Sequence, residues 1–410
     1  MPSPGPQRPM AHARSSGIPL PAVALVAGAA LVLVLVIAVS GLAGTTSSSP
    51  SPTDTALAAL PSTSIATNGP TPRTGAASSS PASGKPSPTV ASTSSPATSQ
   101  PPVAVASGPF AGDLMIADRQ NGRILIVDPA GKVRWRFPVA GSLPAGQSFA
   151  ADDAFLSPDG KTIVANEEGR EVIVRIDIAT RKIIWEYGRY NVAGSGLGHL
   201  HTPDDAYPLA NGDVIVADIF NCRVIEISPA KHIVRQWGRT GVCTDNAPRS
   251  YGQPNGDTPL ADGGLLITEI RGSRVVRLNA AGRVIFDIHV PTIYPSDAHL
   301  DKNGDILVVD YSNPGAIIRV DPHGRVLWRY QPRSGPGRLD HPSLAIELPN
   351  GLVAVNDDFR HRVIIIDPRT NRIVWQYGHT DHHSTANGYL FTPDGIDLIP
   401  PSVAAGLQGS

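Results

Sequence analysis

One interval recurs through most of this chain and limits what it can fold into. From Pro203 to Gly212, Pro254 to Gly263, Pro295 to Gly304 and Pro342 to Gly351 the spacing is identical, and a further copy runs from Ala151 to Gly160. Self-similarity at a period of about 40–50 residues marks a repeat architecture. Within each copy, short β-branched runs such as Val214–Ala217, Val224–Ile227 and Ile233–Gln236 are separated by turn signals. Asn211-Gly212, Asp159-Gly160 and Asn303-Gly304 are hairpin dipeptides between the first and second runs. Ala130-Gly131, Ala281-Gly282 and His323-Gly324 turn the third run into the fourth. Four antiparallel strands per copy make a propeller blade. No sustained 3.6-residue period follows residue 44, which excludes a helical solenoid.

The ends of the repeat region complete each other. The first copy opens on its second strand at Gly112-Asp113, and Leu390–Leu398 supplies a first strand with nothing after it. Joined, they form one blade, remove the open edges and bring the expected count to six. The expected fold is all-β: a six-bladed propeller over 109–401, with a tail at 402–410.

The residues before it are of other kinds. Residues 22–39 carry no charge and span about 27 Å as a helix, enough for a hydrocarbon core. Arg8 and Arg14 precede this run, and the next basic residue is Arg73. The positive-inside rule then predicts a cytoplasmic tail over 1–17, a single-pass transmembrane helix over 18–43, and a cell-membrane protein whose propeller lies on the extracytoplasmic side. Cleavage after Gly41-Leu42-Ala43 would leave the remainder on that same side. Residues 44–108 are Ser, Thr, Pro, Ala and Gly with almost no charge and no aromatic, the composition of a disordered spacer. With 34 basic and 35 acidic residues the chain has no basic surplus for nucleic acid. A monomer is expected.

The runs Ala217-Asp218-Ile219-Phe220-Asn221-Cys222-Arg223-Val224 and Ala117-Asp118-Arg119-Gln120-Asn121-Gly122-Arg123-Ile124 resemble the NHL repeat. The endings Trp185-Glu186-Tyr187-Gly188 and Trp375-Gln376-Tyr377-Gly378 resemble those of quinoprotein-like propellers. The likeness implies a fold and leaves function open, since such propellers include enzymes, sensors and scaffolds.

Blade geometry sorts the chemistry. The first strand of each blade lines the central channel, and the loops between blades and between second and third strands share one rim, the top face. One column at the start of the inner strands holds Asp152, Asp204, Asn255, Ser296, Ser343 and Asp394; the next adds Asp153, Asp205 and Asp297. These nine form the candidate ligand site. Oxygen donors of this kind suit Ca²⁺, and Asp152, Asp204, Asn255 and Asp394 are the candidate ligands. The bland reading is that they cap turns and bind channel water. A second column (Asp118, Asn166, Asp218, Glu269, Asp310, Asp357) is followed by Arg123, Arg223, Arg274 and Arg362, and is expected to pair across the turn. Cys222 and Cys243 leave one blade on the same face, and in an oxidising compartment a disulfide is expected. The loop histidines His199, His201, His341, His379, His382 and His383 are read as solvated, with a zinc site over the channel as the alternative.

Two functions compete. One is a surface-anchored binding, sensor or scaffold module for a protein, peptide or cell-wall ligand on the top face, with Tyr251, Tyr294 and Tyr389 as aromatic contacts for a sugar or polymer. The other is a Ca²⁺-dependent hydrolase, since Asp152, Asp204, Asn255 and Asp394 resemble the calcium set of lactonase and gluconolactonase propellers; the column lacks their Glu.

Overall fold

A computed structural model of the protein describes residues 108–407. The expected cytoplasmic tail, transmembrane helix and nearly all of the spacer lie outside the described residues. Among the described residues no helix is long and apolar enough to cross a membrane.

Six four-stranded antiparallel sheets stand around one axis. The inner strands are Ala154–Leu156, Pro203–Pro208, Pro254–Pro259, Pro295–Leu300 and Ala345–Glu347 in blades two to six. Blade one takes its inner strand, Pro393–Ile399, from the far end of the sequence, paired antiparallel with Asp113–Asp118. The closure is the one the unmatched ends require. It leaves blade one without a free inner edge.

Both faces of every blade are apolar, because each sheet is sandwiched between two others. The result is six separate cores, one in each gap between neighbouring blades. The tryptophans of the fourth strands stitch these gaps. The indole N–H of Trp135 donates to the Ile178 carbonyl (2.9 Å), that of Trp185 to Pro229 (3.0 Å) and that of Trp375 to Pro129 (2.9 Å). This gives the repeated aromatic endings a structural role.

The ordered domain continues past the expected boundary at 401. Pro401–Ala404 forms one helical turn, and Ala404 and Leu407 are buried against Trp135 in the gap between blades one and two. Residues 402–407 are therefore part of the packed body, because these side chains cover apolar surface that the gap would otherwise expose.

Candidate functional site

The inner strands do not follow simple alternation where they begin. Register shifts occur at Asp204/Tyr207, Pro254/Asp257 and Pro295/Ala298, and Asp205 has a φ of 49°. A bulge of this kind turns two successive side chains to the same side. That is how both predicted columns reach the channel, although a regular strand would show only one of them. Glycines make the space. A Cβ on Gly256 would lie 3.1 Å from Asp297 Oδ1 and 3.2 Å from Asp205 Oδ2, and one on Gly395 would overlap Asp153.

At the top of the channel is a cavity of about 80 Å³. All nine predicted residues line it: Asp152, Asp153, Asp204, Asp205, Asn255, Ser296, Asp297, Ser343 and Asp394. Arg119, Glu168, Tyr294, Tyr311 and Leu344 complete the wall. Arg119 and Glu168 begin 3₁₀ turns that follow the second strands of blades one and two, and Tyr311 holds the corresponding place in blade five. The sequence reading missed this third ring. Its signal was the position just after the second-strand acid, which differs from copy to copy.

Arg119 is the only Arg or Lys side chain in the wall. Its guanidinium bridges Asp152 and Asp394, the latter at 2.6 Å, and reaches Glu168 at 2.6 Å. Below, His299 Nε2 meets Asp297 Oδ2 at 2.9 Å. The remaining acids are less well served. Asp205 Oδ2 is buried without a hydrogen-bond donor, and so, outside the wall, are both oxygens of Asp257 and Asp358 Oδ2. Burial lifts Asp153 to about 7, reinforced by the charge of Asp394. Burial also raises Asp152 well above the carboxylate range against the pull of Arg119. Asp204, Asp205, Asp257 and Asp358 rise in the same way, with neighbouring carboxylates adding to desolvation. Asp394 is the exception: burial would raise it, but Arg119 and its hydrogen bonds hold it below the usual value.

Of the ligands expected for calcium, Asp152 and Asp204 stay in a converging group, with Asp152 sharing Arg119 with Asp394, whereas Asn255 and Asp394 are engaged elsewhere. Asn255 donates to Asp204 Oδ2 (2.6 Å) and accepts from the Tyr294 hydroxyl (2.8 Å), so both ends of its amide are engaged. Asp394 is held by Arg119. Ser343 donates to the Asp394 carbonyl (2.5 Å), and the Ser296 carbonyl accepts from Asn255 and Thr268. Among the described residues, Asp152, Asp153 and Asp204 form the one group of three whose ligand atoms converge, within 4.8 Å of one another. Three carboxylates at that separation suit a hard divalent cation.

The second-strand acids behave otherwise. Asp118, Asp218 and Asp357 pair with Arg123 (2.6 Å), Arg223 (2.8 Å) and Arg362 (2.8 Å). Each also accepts, at 2.7 Å, the backbone N–H of a residue entering the inner strand: Phe391, His201 and Asp340. Two expectations change. Arg274 pairs with Asp287 rather than Glu269, and Glu269 accepts from the Gly252 N–H (2.5 Å). In blade two the acid is Glu167, which accepts the Ala150 N–H (2.9 Å). Asn166 sits one position earlier and donates to the Pro203 carbonyl (3.2 Å). A one-residue slip in a strand exchanges the faces, which accounts for the exchange of roles.

Cys222 and Cys243 are joined, with Cα atoms 5.1 Å apart. Among the tyrosines, Tyr294 reaches the cavity, Tyr389 stacks on His379 and Tyr251 is buried in the gap between blades three and four, so it offers no surface to a sugar.

The family described as outer membrane protein assembly factor BamB matches residues 235–392, the C-terminal half of the propeller. A protein of unknown function from Bacteroides caccae has a similar solved structure, with a TM-score of 0.51 at 16% identity over 70% of this chain and 99% of that one. A streptogramin B lyase gives 0.46 at 17% identity, covering 70% of this chain and 87% of that one. Virginiamycin B lyase from Staphylococcus aureus gives 0.45 at 16%, covering 71% and 89%. No curated protein matches the sequence. The family match and the Bacteroides caccae structure support a propeller family.

Proposed function

We propose that this chain is an NHL-like propeller anchored by its N-terminal apolar segment to the cell membrane, displaying the channel mouth outside the cytoplasm as a binding site for positive charge. One observation carries the reading. Carboxyl groups crowd a small buried cavity, a single guanidinium meets three of them, and several oxygens have no donor. An unpaired buried acid costs stability, and a bound cation would recover it. Ca²⁺ is the simplest such ligand, and Asp152, Asp153 and Asp204 would hold it. The propeller then acts as a binding, sensor or scaffold module.

Thermal unfolding of the full chain in chelator, then with millimolar Ca²⁺, tests the metal. Ligand-linked stabilisation predicts a rise in Tm that Asp204→Ala abolishes. An unchanged Tm removes calcium as the ligand.

A second reading has one observation in its favour. Glu168 brings to the cavity the glutamate that the predicted column lacked. A calcium-dependent lactonase would use such a carboxylate beside the metal. Lactone opening that requires Ca²⁺ and is lost in Glu168→Gln would support it; a Ca²⁺-bound protein inert toward a panel of lactones would remove it.

A further inference from the structure

The cavity does not stand alone on the top face. Tyr294 and Tyr311 form part of its wall, with ring centroids 5.4 Å apart. Tyr311 packs against His341 at 4.8 Å, and His341 against Phe359 at 4.7 Å. The four rings make a continuous ramp from the cavity to the rim, where Phe359 is 46% exposed. Ile293, beside Tyr294, is 78% exposed, and Phe220, in the top-face turn of blade three, is 50% exposed. A bound metal ion would account for the acids and leave this apolar rim without a role.

We infer that the top face receives a protein segment that lays apolar side chains on the aromatic ramp and inserts a lysine or arginine side chain into the channel mouth. The inference rests on the reading of the mouth as a site for positive charge. Size limits the occupant. About 80 Å³ admits the end of a side chain, whereas pockets for whole small molecules run to roughly 300–1,000 Å³. Charge selects it. Among the described residues no Lys or Arg pairs with Asp153, Asp204 or Asp205, and Asp205 Oδ2 is buried, 2% of the residue being exposed, with no donor. Arg119 shows that the ring accepts a guanidinium, held there between Asp152 and Asp394. The extent of the rim points to a macromolecule, because the exposed apolar residues belong to blades three and six and to the loop between blades four and five. Apolar contacts around a desolvated charge are the usual arrangement of a protein hot spot.

The test uses the full chain and three fluorescein-labelled peptides: Gly-Ser-Phe-Lys-Phe-Ser-Gly, the same peptide with glutamine for lysine, and the same peptide with serine for both phenylalanines. Anisotropy should show the lysine peptide binding about tenfold more tightly than the glutamine peptide, the scale of one buried charge pair. Asp205→Asn should bring that ratio close to one. Phe359→Ser should weaken the phenylalanine peptide toward the serine peptide and keep the lysine preference. Equal binding of the lysine and glutamine peptides, or none up to millimolar protein, overturns the inference. If Ca²⁺ still raises Tm in that case, the mouth remains a site for positive charge and only the protein partner is lost. If neither peptide nor ion acts, both readings fail.

Discussion

Two rings of acids surround the channel of this propeller, and they differ in what answers them. The outer ring sits at the ends of the second strands. Asp118, Asp218 and Asp357 each have an arginine and a backbone N–H in place. The inner ring lines the mouth, and there Asp205 keeps a buried oxygen with no donor, as do Asp257 and Asp358, which stand outside the cavity wall. Both rings are desolvated, so burial does not separate them. Partners do. An acid whose hydrogen bonds are complete holds the chain together, whereas an acid left incomplete in a rigid setting is waiting for something the chain does not supply. The contrast has an exception on each side, since Glu269 Oε1 in the outer ring lacks a donor and Asp394 in the inner ring has one, but the two rings lie on neighbouring strands of the same blades.

The comparison is broken most readily in the outer ring. Asp357 and Arg362 are both almost fully buried, Arg362 being 1% exposed. Asp357→Ala should strand that guanidinium and the Asp340 N–H, and cost about 3–5 kcal/mol in urea unfolding. A loss below about 1 kcal/mol would mean that the outer ring is not structural.

The inner ring should respond with the opposite sign. Asp205→Asn keeps the shape, and Asn tolerates the positive φ at this position. In chelator, at a pH high enough to ionise this raised carboxyl, it should stabilise the protein by about 1–3 kcal/mol, because it replaces an unpaired buried charge by a neutral group. The same variant should bind cations less well. A destabilised Asp205→Asn would show that this carboxyl already has an internal partner.

The mouth was largely legible in the sequence because a repeat aligns itself. Asp152, Asp204, Asn255, Ser296, Ser343 and Asp394 fall in one column, and one column in six blades must converge on one axis. Ring closure was legible for the same reason: a missing first strand and a surplus one match. What escaped depends on local backbone shape. Arg119, Glu168 and Tyr311 reach the cavity from turns, and no spacing rule says that a turn residue will bend over a channel. Asn255 was the right residue type for a metal ligand, yet its amide is consumed by Asp204 and Tyr294. Donor chemistry is written in the sequence; whether a donor is already spoken for is decided by packing. The placement of Asn166 failed by one position, and in a strand one position is the difference between two faces.

Acidity offers a test that spans both rings. Burial raises Asp153, Glu167 and Glu269 to about 7, and Asp357 and Asp397 to about 6. Carboxyls raised in the folded state bind protons more tightly there than in the unfolded chain. Their contribution to stability is therefore full below the unfolded value near 4 and is lost as pH rises through 6 to 7. In chelator, Tm should fall by roughly 5 °C between pH 5 and pH 8. Saturating Ca²⁺ should recover the inner ring's part of that loss, since the ion binds the deprotonated acids, and its affinity should rise over the same interval. A Tm that climbs from pH 5 to pH 8 in chelator would contradict the desolvated mouth.

The smallest expected effect sharpens the comparison most, because it lies within the outer ring itself. Arg274 occupies the same repeat position as Arg223 and Arg362, but it turns away from Glu269 to Asp287, a partner in the next strand that is a quarter exposed. Glu269 keeps the Gly252 N–H whether or not Arg274 is present. Arg274→Ala should then cost no more than about 1 kcal/mol, as ion pairs open to solvent on one side generally do. Arg223→Ala, which leaves the fully buried Asp218 without its guanidinium, should cost about 3 kcal/mol or more. The two variants remove the same side chain from the same place in two blades, so length, propensity and strand position cancel. A difference isolates the partner. Equal losses would mean that the arginine acts through its packed stem, and that the outer ring owes its order to apolar contact more than to charge.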